Sequence, residues 1–111
     1  MKKALLIGIA AVLIACISDE PSAKAIVGAR LIASPGAKPI DDSVVVVEDG
    51  KFIDVGPQSS TPVPQGAEQL RGTGMTIQPL AGGPTIEAGN RADLELKGPT
   101  DRVMRSGEWV R

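Results

Sequence analysis

Residues 43–56 read SVVVVEDGKFIDVG, and the fold turns on how Asp49-Gly50 divides them. The four valines Val44 to Val47 are poorly suited to a helix, because β-branched side chains lose χ1 freedom against the preceding turn. They suit a pleated strand instead. Asp-Gly between two β runs signals a two-residue hairpin, since both central residues take positive φ. In that register Glu48 faces Lys51, Val47 faces Phe52 and Val46 faces Ile53. Opposite charges and apolar pairs then lie across from each other, as paired strands prefer.

Working outward, Ala25 to Ala33 (AIVGARLIA) reads as a strand, ended by Ser34-Pro35-Gly36 and Lys38-Pro39. Residues 57–66, PQSSTPVPQG, carry three prolines and read as a loop, because proline removes ladder donors. Glu68-Gln69-Leu70-Arg71 is a short strand, Gly72-Thr73-Gly74 a turn, and Met75 to Gln78 another strand. Ala92 to Lys97 alternates, which places Leu94 and Leu96 inward and Asp93, Glu95 and Lys97 outward. Ser106-Gly107 turns a second hairpin, pairing Arg105 with Glu108 and Met104 with Trp109. The expected fold is all-β, a small sandwich or half-barrel of seven to eight short strands. Strict alternation sets Ile26 and Ile32 opposite Val27, Ala29 and Leu31, and Val44 and Val46 opposite Val45 and Val47. Apolar residues on both faces must lie under a loop, meet a partner through self-association or otherwise, or stay wet.

The chain of 111 residues allows one small domain. It has no His, one Cys, one Trp, one Phe, no Tyr and a net charge of -1. A nucleic-acid partner is not expected, since both a basic face and stacking aromatics are lacking. A single Cys forms no internal disulfide.

The first residues belong to export rather than to the fold. Met1-Lys2-Lys3 is a basic start, and Ala4 to Ile14 is an apolar run too short to span a bilayer comfortably. The expectation is a signal-peptide helix over residues 1–15, a polar tether over 16–24 and the β domain over 25–111. Leu13-Ile14-Ala15-Cys16 resembles a bacterial lipobox. That resemblance implies signal-peptidase recognition of Leu13, Ile14 and Ala15, cleavage before Cys16, and lipidation of Cys16. It places the domain in the cell envelope, held to a membrane by lipid without spanning it. Ile17 stands where an Asp would favour inner-membrane retention, so the outer membrane is favoured.

Ala25-Ile-Val-Gly-Ala-Arg-Leu-Ile, then Val44 to Gly56, Pro64-Gln-Gly-Ala-Glu68 and Gly74-Met-Thr-Ile-Gln-Pro79 resemble the N-terminal β segment of the metal-dependent amidohydrolase superfamily. The nearest likeness is to its imidazolonepropionase- and dipeptidase-like branch. Gly89 to Lys97 and Val103 to Val110 resemble the C-terminal β segment of the same enzymes. The resemblance implies a composite β domain with an N-terminal part over 25–80 and a C-terminal part over 85–111. In the family, a catalytic TIM barrel of roughly 250 residues lies between the two parts and carries a metal-binding His-x-His pair. Here Thr76-Ile-Gln-Pro79 leads into Leu80-Ala-Gly-Gly instead.

Candidate sites read as structural. Zinc needs His or Cys ligands with an open position for catalysis, so no metal, cofactor or catalytic residue is expected. The acid pairs Asp41-Asp42 and Glu48-Asp49 sit at strand ends or turns, where Asp bonds its own backbone. Asp93 matches the β domain, not the family's catalytic Asp, which belongs to the barrel. Ser59, Ser60 and Ser106 have no His base. Gly72-Thr-Gly74 precedes no helix N-terminus that would hold a phosphate. Arg102, Arg105 and Arg111 read as a solvated hairpin face. Three readings remain open. One is a lipid-anchored non-catalytic domain, another is part of a C–N hydrolase whose barrel is on another chain or lost, and the third is a stand-alone interaction module.

Overall fold

The computed structural model describes residues 23–110. Its eight strands are β1 (Ala23–Leu31), β2 (Ile40–Glu48), β3 (Lys51–Pro57), β4 (Glu68–Arg71), β5 (Thr76–Gln78), β6 (Leu94–Lys97), β7 (Arg102–Arg105) and β8 (Glu108–Trp109). They form one sheet in the order β3-β2-β1-β5-β6-β7-β8. β4 and β5 share one edge of β1: β4 runs parallel to Lys24–Val27 and β5 to Arg30–Leu31. The all-β expectation holds, in the form of a single sheet curled around one core. Ala23 and Lys24, expected in the tether, are already strand residues paired with Glu48 and Val47.

Both hairpins form where their turn residues place them. Asp49 (φ 54°) and Gly50 (φ 79°) take positive φ, as do Ser106 (49°) and Gly107 (83°). Glu48 faces Lys51, Val47 faces Phe52, Met104 faces Trp109 and Arg105 faces Glu108. One expected pair fails. Val46 lies opposite Asp54, not Ile53, because the register shifts between Val46 and Val47. Ile53 is the extra residue of that bulge and stands 42% exposed.

The core joins both halves of the chain. Ile26, Leu31, Val45, Val47 and Phe52 pack with Ile77, Ile86, Leu94, Leu96 and Met104. A second, smaller cluster of Ala25, Val44 and Val46 lies on the other face, packed against Val27, Val63 and Ala67. Val63 and Ala67 belong to the segment between β3 and β4, so this proline-rich loop covers the outer face of β1 and β2. Val44 and Val46 do oppose Val45 and Val47. In β1 the expected alternation breaks, because Ile26 shares the inner core with Ala29 and Leu31. Gly28 (φ +91°) is a bulge residue, and pairing with β2 shifts register between Val27 and Ala29. One inserted residue reverses every later side chain.

The curl closes through residues 89–92. Phe52 N–H donates to Asn90 O (2.9 Å), Gly89 N–H to Phe52 O (2.8 Å) and Ala92 N–H to Gly50 O (2.8 Å). Gly107 N–H then donates to Ala92 O (3.0 Å). The two hairpin turns therefore meet, with Ala92 between them. A Cβ built on Gly107 would lie 3.0 Å from the Gly50 Cα. Gly66, by contrast, has φ +84° with nothing within 4 Å. Gly66→Ala is expected to cost about 1 kcal/mol, the conformational penalty alone. Gly107→Ala adds a backbone collision and is expected to cost about 2–4 kcal/mol. Urea denaturation of the two variants side by side checks this, and equal losses would show that the turns do not touch.

Candidate functional site

The joint between the two halves is a surface turn. β5 ends at Gln78, and Gly83 N–H closes a tight turn by donating to Leu80 O at 2.8 Å. The chain re-enters the core at Ile86, whose N–H donates to Ala33 O at 2.9 Å and whose side chain is 1% exposed. Beside the joint lies a hollow of about 410 Å³, formed by Leu80, Ala81, Glu95, Val103, Arg105 and Val110. Val110 is 55% exposed, so this hollow has an apolar rim open to solvent.

Asp93 does not point outward with Glu95 and Lys97. Its N–H donates to Arg91 O (2.9 Å), and the regular strand begins only at Leu94. This local turn swings the carboxylate inward, leaving the side chain 5% exposed. There Oδ2 accepts from Arg91 Nε at 2.6 Å and Oδ1 accepts from Ser106 N at 2.8 Å. Burial pushes the Asp93 carboxyl up, but the Ser106 N–H and the Arg91 guanidinium, helped by Arg105, outweigh it. The group is held below its ordinary value, so it is a carboxylate at neutral pH. Asp93 thus fastens the β7–β8 turn to the chain entering β6, which is a structural role.

The other candidates are scattered. Asp49 occupies the first hairpin turn, and Asp41 lies 3.7 Å from Arg30 Nε. Glu48, Asp49, Glu68 and Glu108 border an open hollow of about 750 Å³ together with Lys24, whose Nζ is 3.7 Å from Glu108. Among the described residues, no three Asp, Glu, Cys or His side chains are placed to hold a metal ion. Ser59 and Ser60 lie exposed in a short 3₁₀ turn. Gly72 lies between β4 and β5 and donates its N–H to Val27 O at 2.7 Å. Arg102 stacks over the Trp109 ring at 4.4 Å, which makes that arginine part of the hairpin packing. Cys16 and the expected recognition residues Leu13, Ile14 and Ala15 lie outside the described residues, as does Arg111.

Sequence reasoning missed Ser43. Its buried hydroxyl donates to Ala29 O at 2.7 Å, bracing β2 against β1 beside the Gly28 bulge. A serine at the mouth of a valine run carries no signal of that bond.

No family model and no curated protein matches this chain. Among solved structures, a prolidase-like protein from Bifidobacterium longum aligns at 25% identity over 52% of this chain and 15% of its own, with a TM-score of 0.47. Molinate hydrolase aligns at 33% identity over 54% of this chain and 13% of its own, with a TM-score of 0.48. The match spans a small part of either enzyme.

Asp93→Ala is expected to destabilise the fold by about 1–3 kcal/mol, the usual cost of losing hydrogen bonds to a buried charged group. Arg91 is largely exposed, so the ion pair itself adds little. The sign with pH follows from the lowered pKa. The contribution is complete above the ordinary value of 3.8 and is lost as pH falls through the lower value of the folded state. Denaturation midpoints of wild type and variant should differ at neutral pH and draw together as acid protonates the Asp93 carboxylate of the folded state, below its ordinary value of 3.8.

Proposed function

We propose that this chain is a lipid-anchored, non-catalytic β domain of the kind that flanks the barrel of metal-dependent amidohydrolases. The pairing of β5 with β6 carries the reading. Thr76, Ile77 and Gln78 lie opposite Lys97, Leu96 and Glu95, so the two segments that resemble the family's separated β parts form one sheet around one core. The joint between them is short and exposed at Ala81 and Gly82. Packing of the two parts therefore does not depend on a domain inserted at that point.

The sequence before Ala23 supports an exported, envelope-bound domain lipidated at Cys16, with the outer membrane favoured. Strand β1 starts at Ala23, leaving residues 17–22 as the link. Six residues reach at most roughly 20–25 Å, so the domain is held close to the bilayer surface. The inventory of His and Cys leaves the chain alone without a zinc site of catalytic type.

The hollow beside the joint favours a second reading, in which another chain supplies a barrel. Leu80 and Val110 offer that chain an apolar contact near the place the family's barrel occupies. In this form the protein is one component of a metal-dependent hydrolase of C–N bonds.

Two measurements test these readings. Cys16→Ser should abolish metabolic labelling with an alkynyl fatty acid and release the domain from the membrane fraction. Unchanged labelling would refute the anchor. Metal analysis after dialysis against zinc should find well under one equivalent per chain. A tightly held equivalent would refute the non-catalytic reading.

A further inference from the structure

Strands β1 and β2 each carry one inserted residue, side by side. Between Val27 and Ala29, Gly28 is extra on β1. Between Ala29 and Leu31, the step on β2 runs from Ser43 to Ile40, so β2 is the longer strand there. Asp42 lies in that step with φ +53°. A non-glycine residue in this region costs about 1 kcal/mol or more, and such bulges commonly re-aim a side chain. Here the carboxylate is aimed across Gly28: a Cβ built on Gly28 would lie 3.9 Å from Asp42 Oδ1 and 2.9 Å from Thr73 Oγ1. Only a glycine leaves this floor open.

The floor belongs to a hollow of about 340 Å³ that is also lined by Gln58, Gln69 and Arg71. Asp42 and Arg71 bring opposite charges to the same hollow, yet neither side chain takes part in an ion pair or hydrogen bond among the described residues. Other charged groups nearby do pair, as Arg30 does with Asp41. Two unpaired, opposite charges around a small polar hollow suit a ligand that carries both charges itself. An ammonium group would be received by Asp42, and a carboxylate by the planar guanidinium of Arg71, whose donor fork matches it. The Gln58 and Gln69 amides and the Thr73 hydroxyl supply both donors and acceptors.

We propose that the hollow over Gly28, between Asp42 and Arg71, binds a small zwitterion of the amino-acid type. This does not rest on the function proposed above, since the site lies entirely within β1, β2, β4 and the segments flanking β4. The test is a titration of the ¹⁵N-labelled full chain in detergent micelles, followed by NMR. L-Alanine is the zwitterionic probe, with ethylammonium and propionate as single-charge controls. Alanine should shift the amide signals of Gly28, Asp42, Arg71 and Thr73 saturably, and each control should bind at least tenfold more weakly, a factor that corresponds to ~1.4 kcal/mol. Asp42→Asn keeps a residue tolerant of positive φ while removing the charge, and should weaken binding at least tenfold. Arg71→Gln, at an exposed strand position, should do the same. The proposal is overturned if alanine gives no saturable shifts, if both variants bind like wild type, or if a single-charge control binds as well as alanine.

Discussion

Val44, Val45, Val46 and Val47 are all buried, and they alternate between two faces of one strand. A strand in a sheet has water on one side unless something is laid over it. The rest of the molecule follows from meeting that demand twice. On the inner side the sheet must curl until β6 and β7 lie over β1 and β2, and the core of Phe52, Leu94, Leu96 and Met104 is the result. On the outer side a proline-rich segment is drawn across the strand and presses Val63 and Ala67 against Val44 and Val46. Prolines suit that task, since a chain lying flat on a sheet face need not donate to a ladder. The outward apolar residues of β1 and β2 are therefore covered within the chain itself.

The elements legible in the sequence are those specified by neighbouring residues. Asp49-Gly50 and Ser106-Gly107 each combine turn chemistry with flanking β formers, and both hairpins form in the expected register at their turns. Bulges are not legible in that way. Ile53 looks like an ordinary member of an alternating run, whereas Gly28, an isolated glycine inside a strand, carries a bulge signal that a reading by alternation alone passes over. The misplacement of Asp93 has the same origin. Its run alternates cleanly from Ala92, but the hydrogen bond from Asp93 N–H to Arg91 O delays the strand, and the partner at Ser106 lies 13 residues away. Hydrogen bonds at that separation leave no local pattern.

The candidate site divides similarly. The family-like motifs mark the strands, and the strands form. They do not mark the hollow over Gly28, because its residues come from four separate segments, each unremarkable alone: a strand glycine, an Asp before a valine run, a loop glutamine and a short polar strand. The joint at Pro79 to Pro84 is the reverse case. Its want of chemistry is plain in the sequence, and the structure adds that the chain turns there on a single backbone bond before returning to the core.

The paired bulges also bear on how such a sheet can change over time. Gly28 lengthens β1 by one residue, and the step at Asp41-Asp42 lengthens β2 shortly afterwards, so the two offsets cancel within a few residues. Deleting either one alone would leave every pair beyond it out of step and turn Leu31 or Ile40 to the wrong side. Deleting both would restore the ladder with less curvature. The two insertions thus form one heritable unit: a lineage can keep both or shed both, but an intermediate with only one would have to survive a misregistered sheet.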